Sequence, residues 1–536
     1  MFVQGESIAK KLSKLPRASG AGYDSGRSNA PDRCFEGTRT AILKNIWDWL
    51  DRPISGSPVE PIYWINGIAG IGKSTIARTV AEDEDRQKCL GASFFFSRQE
   101  KDLSDVKLFI PTIAHQLAQS YPEVRSDVVK VLQEDPDIVN KSSATQLQQL
   151  ILNPLRNITS PKPVLLVVDA LDECDNSGNA AAKLFKTIVA CCTEVPSLRL
   201  LVTSRPETYI QSIFVGEKTT GIVLHENVEQ SVVINDIRRY LCAEMSKIPR
   251  ELGAELPEPW PCVKDLDQLV DKAGKLFIWA ATAIRFVGDS AERDPASQLN
   301  VLLGMPVGPN MNDENPYAPL DDLYVAILLQ AANHLRGPLV KGIQDVIGTI
   351  IRLRSVMPLR AIGKFLGVGT VQANLGRIQS IIPIPSDSSR PVQIYHPSFP
   401  DFITSRERCP HPQFYVDIHS HERRLALRCL DILNSKLSED VDELLNPTEK
   451  ISVLSKEAVL NVMPLEVQYA CRFWAVHVAF QSIDHDDEKL VAALDTFSST
   501  KLLRWVIAMS ILGALPDAIT ATRTIQEWMV SLVYIH

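Results

Sequence analysis

A parallel α/β domain with helices on both faces, followed by helical domains, is the fold this sequence predicts. Three observations predict it. Apolar runs of strand length alternate with helix-period segments over residues 35–226. The first run leads into a glycine-rich loop, "NGIAGIGKST" (Asn66–Thr75), which opens a helix. Beyond 226 the strand signals fade and 3.6-residue periodicity takes over.

The elements follow in order. The opening "MFVQGESIAKKLSKLPRASG" lacks the apolar centre of a secretory signal. Its basic and serine content is loosely that of a mitochondrial transit peptide, but the tail of a helix followed by a linker accounts for it better. Residues 18–33, "ASGAGYDSGRSNAPDR", have linker composition. In "GTRTAILKNIWDWL", Ile42, Leu43, Ile46, Trp49 and Leu50 recur at helical spacing. "PIYWING" reads as a strand, "KSTIARTVAE" as a helix, "LGASFFFSR" as a second strand and "DVKLFIPTIAHQLAQSYP" as a helix. "KPVLLVVDALDEC" (162–174) is a continuous apolar run ending in acids, as a strand buried on both faces should be. The helix "AAAKLFKTIVACC" and the strands "LRLLVTSRP" (198–206) and "GIVLHE" (221–226) complete the core. Strand–helix alternation of this kind implies crossover connections and parallel pairing.

After the core, Val233, Ile237, Leu241 and Met245 mark one helical face, and "LDQLVDKAGKLFIWAATAIRFV" continues helical. Pro-rich breaks fall at 249–262 and 304–319. Ile343, Val346, Ile347, Ile350 and Ile351 form one stripe, and "PLRAIGKFLG" and "VQANLGRIQSII" read as two short helices. "IIPIPSDSSRPVQIYH" resembles two strands joined by a turn, so this region predicts a winged helix. Residues 414–536 read as helical throughout, with no internal repeat. The boundaries expected are 1–33, an N-terminal helix remnant and linker; 34–228, the α/β core; 229–318, a helical domain; 319–405, the winged helix; and 406–536, a second helical domain.

Composition narrows the function. With 56 basic and 64 acidic side chains, the net charge is −8, which argues against a dominant nucleic-acid surface. The predicted winged helix supplies one Arg and no Lys in "QANLGRIQSII", too little for phosphate contacts on DNA. The ten cysteines form no CxxC pair, which suits reduced thiols in a cytoplasmic protein. No apolar run is long enough to span a bilayer, and "WVIAMSILGAL" reads instead as a buried helix.

Gly67-x4-Gly72-Lys73-Ser74 matches GxxxxGK[ST] in full, between a strand and a helix, which is the P-loop context. Glycines let the backbone N–H groups of Gly67, Ile68, Ala69, Gly70, Ile71 and Gly72 turn towards an anion, and the helix adds its positive end. Lys73 is placed to neutralise β- and γ-phosphates, Ser74 to ligate Mg2+, and Thr75 to reach the α-phosphate. Asp169, ending its strand, can hold Mg2+ through water opposite Ser74. Asp172 and Glu173 follow; either can orient or deprotonate a water, or the two can form an exposed acidic turn or a helix N-cap. Arg205 lies past the end of another strand, where a cation can face a γ-phosphate. Its bland alternative is a salt-bridging surface arginine.

"GIAGIGKST", "LLVVDALDE" and "LLVTSRP", in that order, resemble the NACHT family of signal-transduction NTPases. The variant is similar to the filamentous-fungal branch of the STAND class, whose core is like the nephrocystin-3 N-terminal domain. "RCFEGTRTAIL", "LGASFFFSR", "FIPTIAHQLA", "GKLFIWAATAIRFV" and "HPSFPDFI" fit the same branch. The resemblance implies a switch that holds ADP closed, opens with ATP and Mg2+, self-associates, works with effector or sensor proteins, and hydrolyses slowly. It assigns Gly67–Thr75 to phosphate, Asp169 to Mg2+ and Arg205 to sensing. It also raises His396, in "IYHPSF", as the contact to the β-phosphate of ADP. Two departures stand out. "GKLFIW" lacks the proline that many relatives pack on adenine, and residues 82–85 put an acidic stretch on the helix after the loop. A phosphotransferase would need an arginine-rich lid that the sequence lacks, and a nucleotide-binding scaffold would bind without turnover. Cys409, His411, His419 and His421 suit zinc by type but match no finger spacing.

Overall fold

The computed structural model describes residues 11–27, 30–54, 59–158, 162–175, 179–228, 233–289, 292–305, 315–333, 337–369, 371, 375–385, 387, 389–437, 441, 456–480 and 487–533. The chain divides into two units, 1–323 and 324–536.

In the first unit, five parallel strands form one sheet: β1 (Ile62–Asn66), β2 (Leu90–Phe95), β3 (Val164–Asp169), β4 (Leu198–Ser204) and β5 (Val223–Asn227). Their order is β2-β3-β4-β1-β5. Asn66 pairs in register with Ser204 and Asn227, and Phe95 with Asp169. The carboxyl ends of the strands therefore line up along one edge, where open α/β sheets place their ligand sites. β1 through β4 are buried at every position, whereas the edge strand β5 is half exposed. That is why the first four read as continuous apolar runs. Trp64 sits at 0% exposure, stacked on His225 and donating from Nε1 to Ser204 Oγ at 2.9 Å. Phe94, Phe109 and Phe185 form a ring cluster under the helices.

Residues 17–27 are not a free linker. Phe95 N–H on edge strand β2 donates to Ala21 O at 2.9 Å, and Tyr23 N–H donates to Ser93 Oγ at 3.0 Å. Arg78, on the helix Lys73–Arg86, donates to Tyr23 O at 2.8 Å. Leu15, Ala18 and Ala21 are buried against the core. The small residues that read as linker composition let this strap lie against the sheet edge and occupy its open backbone groups.

The acidic stretch at 82–85 leaves the helix Lys73–Arg86 unbroken. Asp83 accepts a two-pronged contact from Arg33 at 2.9 and 3.2 Å, Glu82 pairs with Arg33 and Arg86, and Glu84 is buried. The stretch 266–287 is two helices, not one. Val263–Ala273 ends at Gly274 (φ 55°), and Phe277–Val287 starts afresh. The positive φ, with ψ −115°, suits glycine alone and turns the second helix onto a new axis.

The second unit is helical among the described residues. Gly337–Arg352 buries Ile343, Val346, Ile347 and Ile350, while Ile351 is half-buried. Leu359–Leu366 follows, and the expected third short helix lies partly outside the described residues. The expected hairpin is not a strand pair among the described residues. It has one antiparallel bridge, Pro358 to Pro391, plus a Tyr395 N–H to Ile381 O bond at 3.2 Å. Pro383, Pro385 and Pro391 lack the N–H groups a ladder needs. Ile418–Lys436, Leu465–Ala479, Glu488–Thr500, Leu502–Ile511 and Leu515–Val533 complete the unit. The stretch 505–515 is divided by Gly513 (φ 63°), with Trp505 buried below. At the centre of this unit Glu422, at 0% exposure, accepts from Arg352 Nε at 2.6 Å, Arg354 at 3.0 Å and His477 Nδ1 at 2.5 Å. None of the ten cysteines forms a disulfide, and no described helix is long and apolar enough to cross a membrane.

Candidate functional site

β1 ends at Asn66, and residues 67–72 turn directly into the helix Lys73–Arg86. Gly72 caps that helix at φ 93°, a conformation that penalises any Cβ. A side chain there would also meet Thr75 Oγ1 at 3.2 Å and the Arg39 guanidinium at 3.5 Å.

Lys73 is buried with its ammonium turned back into the loop, donating to Gly67 O at 2.7 Å and Ile68 O at 2.9 Å. Desolvation lowers its pKa to about 8; Asp172 and Asp169 favour the charge and Arg205 opposes it. Thr75 donates from its hydroxyl to Gly72 O at 2.6 Å.

Asp169 ends β3 and is buried. It accepts from Thr203 Oγ1, on β4, at 2.5 Å, and the Ser74 hydroxyl lies near enough to favour its charged form. Burial raises its pKa, and Thr203, Ser74 and Lys73 each pull it back. The same Thr203 oxygen accepts from Ala170 N–H at 3.0 Å, fixing the turn after the strand. Ala170 itself has φ 54°, so the chain bends sharply there and Leu171–Glu173 form one tight turn.

That turn gives Asp172 and Glu173 different surroundings. Asp172 holds Arg205, accepting from its backbone N–H at 2.9 Å and pairing with Nε at 3.1 Å. Both side chains are largely buried, so this pair orients Arg205 more firmly than a surface salt bridge would. Glu173 accepts a backbone bond from Arg98 N–H at 3.2 Å. Desolvation raises its pKa to about 7; Arg98 lowers it and Asp172 adds to the rise. Two adjacent carboxyls thus have separate tasks: Asp172 is committed to an arginine, and Glu173 is poised to exchange a proton near neutral pH.

Lys73, Ser74, Asp169, Asp172, Glu173 and Arg205 therefore share one edge of the sheet, as the sequence predicts. His396 belongs to the second unit. Its Nδ1 accepts from Ser398 N–H at 3.1 Å and meets Ser398 Oγ at 2.7 Å, so the neutral ring carries its proton on Nε2. His421 turns to Thr349 Oγ1 at 3.2 Å, and His411 and His419 lie beside Phe414 and Phe480. Among the described residues no three His, Cys, Asp or Glu side chains gather as a metal site.

Several loop partners carry no sequence signal. Arg39, buried at φ 58°, donates to Ile71 O and lies 4.7 Å over the Phe277 ring, while its own N–H donates to Asp236 at 3.0 Å. Ile278 N–H donates to Gly70 O at 3.0 Å. Thus "GKLFIW", which lacks the expected proline, still meets the loop through the start of its helix. Tyr317, inside a Pro-rich break, accepts through its hydroxyl from Ala69 N–H at 3.2 Å.

Residues 37–205 match the family described as nephrocystin 3, N-terminal. Over 532 residues the chain is 22% identical to the vegetative incompatibility protein HET-E-1 of Podospora anserina, covering 92% of this chain. It spans only 37% of the length of that relative. Among solved structures, the Walker-type ATPase PABY2304 of Pyrococcus abyssi aligns at 11% identity and a TM-score of 0.33, over 68% of this chain and 96% of that one. The Drosophila ORC bound to DNA aligns at 11% identity and a TM-score of 0.28, over 72% and 88%.

Proposed function

This chain is a NACHT-like P-loop NTPase of the STAND class, and from that premise we propose that it is an ATP/ADP-gated switch whose nucleotide controls conformation and self-association. The observation that carries the reading is Lys73. A buried, desolvated cation held by two carbonyls gains from an anion seated in the loop. The neighbouring oxygens of Ser74 and Asp169 are the donor set Mg2+ takes. Held there, Mg2+ would supply neutralisation of phosphate charge. The backbone of Gly67–Thr75 would cradle the phosphates.

Hydrolysis, in this reading, is slow and resets the switch. Glu173 is the carboxylate that orients and deprotonates water, because Asp172 is committed to Arg205. Arg205, held in one rotamer by Asp172, registers the γ-phosphate. The resemblance alone assigns His396 to the diphosphate; His396→Leu should then speed nucleotide exchange. The relative's name, a vegetative incompatibility protein, supports an output in fungal non-self recognition through protein partners.

The test is to identify the nucleotide that co-purifies with the chain and to repeat the measurement on Lys73→Ala. Bound ADP in the wild type, lost in the variant together with nucleotide-dependent assembly, supports the switch. Unchanged binding and assembly in Lys73→Ala would defeat it. Rapid multiple-turnover transfer to a small acceptor would favour a kinase instead.

A further inference from the structure

Tyr317 touches the phosphate loop from outside every motif that identifies the loop. Its hydroxyl accepts from Ala69 N–H at 3.2 Å. The next residue opens the helix Ala318–Asn333, and Tyr317 O accepts from Leu320 and Asp321 N–H, both at 2.9 Å, in its first turn. Two further bonds close a circuit around this contact. Ile278 N–H donates to Gly70 O at 3.0 Å, and Trp279 Nε1 donates to Pro319 O at 3.1 Å. Ala69–Gly70, Ile278–Trp279 and Tyr317–Pro319 are thus fastened to one another. The helix that Tyr317 starts carries the chain from the first unit into the second, whose boundary falls at 323/324.

The position of Ala69 gives this contact a chemical meaning. The Lys73 ammonium bonds Gly67 O and Ile68 O, so the cation lies at the start of the loop, where Ala69 is the next residue. The P-loop lysine serves β- and γ-phosphates, and the loop N–H groups are anion donors. A triphosphate places its terminal oxygens nearest this end. The Tyr317 hydroxyl accepts from an N–H that such an oxygen can take.

We propose that Tyr317 is a nucleotide-sensing residue in which its hydroxyl and a terminal phosphate compete for Ala69 N–H. With a diphosphate the Ala69–Tyr317 bond stays closed and holds the first turn of the helix. With a triphosphate the bond opens and releases that turn. The proposal rests on the loop binding nucleotide and adds the part that tells three phosphates from two. Tyr317 is here a positioning and discriminating residue, with no role in bond cleavage.

The experiment uses the full chain, wild type and Tyr317→Phe, with ADP and the non-hydrolysable triphosphate AMP-PNP as probes. Dissociation constants are measured for each, together with amide exchange over residues 318–323. Removing one competing hydrogen bond should tighten AMP-PNP about 3- to 10-fold and leave ADP within about 2-fold. In the wild type, exchange over 318–323 should be faster with AMP-PNP than with ADP, and in Tyr317→Phe equally fast with both. Trp279→Phe, which loosens the same turn through Pro319, should speed exchange with both probes without altering the ADP to AMP-PNP affinity ratio. A ratio in Tyr317→Phe equal to that of the wild type, or a weakened AMP-PNP complex, overturns the sensor while leaving the nucleotide reading intact. If wild-type protein binds neither probe, the nucleotide reading itself falls and the sensor falls with it.

Discussion

Lys73→Met should stabilise the first unit while abolishing its affinity for nucleotide. Burial lowers the Lys73 pKa from 10.5 to about 8. At about 1.4 kcal/mol per pH unit, the charged side chain costs the native state about 3 kcal/mol. Methionine removes that cost but forfeits the bonds to Gly67 O and Ile68 O, about 1–2 kcal/mol. The balance is a gain of about 1–2 kcal/mol at pH 7. The sign of the pH dependence is fixed. A base whose pKa falls on folding binds its proton less tightly in the native state. The penalty is therefore complete below pH 8 and shrinks as pH rises from about 8 towards 10.5. Wild-type stability should climb across that window relative to Lys73→Met by more than the deficit at pH 7, so the two curves should cross. Denaturant unfolding at a series of pH values, followed by tryptophan fluorescence, reads this directly. Nucleotide adds a second signature. A phosphate beside the ammonium favours its charged form, so binding takes up a proton, and affinity should fall by on the order of tenfold per pH unit above about pH 8. Parallel pH profiles for the two proteins, or a clear loss of stability in Lys73→Met at pH 7, would refute the reasoning.

Glu173 makes a prediction near neutrality. With its pKa pushed up to about 7, turnover should rise with pH through about 7, and Glu173→Gln should remove the inflection and slow hydrolysis about 100-fold or more; a pH–rate profile of both proteins decides. Glu422→Ala leaves Arg352 and Arg354 without the carboxylate they share, and should destabilise the second unit by about 3–5 kcal/mol. Burial raises the Glu422 pKa, but His477 and the two arginines hold it below the ordinary value, so this stability is lost as pH falls through the acid range; acid titration of the wild type checks it. Arg39→Met removes the guanidinium from Ile71 O and the Phe277 ring, and should cost about 2–3 kcal/mol. Faster amide exchange over 70–75 should accompany that loss.

The readable parts of this chain are those whose partners lie nearby in sequence or whose environment is uniform. β1 to β4 are buried on both faces, so their apolar runs announce them, and Asp169 is marked by ending such a run. The loop is legible because one turn of chain contains all its chemistry. The Asp172–Arg205 pair, 33 residues apart, exists only because β3 and β4 are neighbours in the sheet. Arg39 is less legible still. Its contacts to Ile71 and Asp236 lie 32 and 197 residues away. Residues 18–27 mislead because small residues serve a docked strap as well as a linker. The expected hairpin misleads because alternation suggests strands while three prolines deny the ladder its donors. Gly274 shows the converse: helical periodicity runs on either side of it, yet its φ of 55° divides the segment.

The division between local and distant contacts also limits what nucleotide can do. Moving a two-state equilibrium from mostly one state to mostly the other takes about 5.5 kcal/mol of differential affinity. The largest single term at the loop, relief of the Lys73 charge at about 3 kcal/mol, is available to any phosphate chain, diphosphate or triphosphate alike. It sets how tightly nucleotide is held, and by linkage it cannot set which state is favoured. Discrimination must come from contacts that differ between two phosphates and three. On the function proposed above, the described residues of the first unit that can supply this are the Ala69–Tyr317 bond, worth about 1 kcal/mol, and Arg205, held ready by Asp172 and worth about 1.5–3 kcal/mol to a phosphate it meets. Together they fall short of a full inversion. A switch built on this loop is therefore biased by ATP rather than thrown by it, and it needs a second input, from a trigger or from assembly, to complete the change.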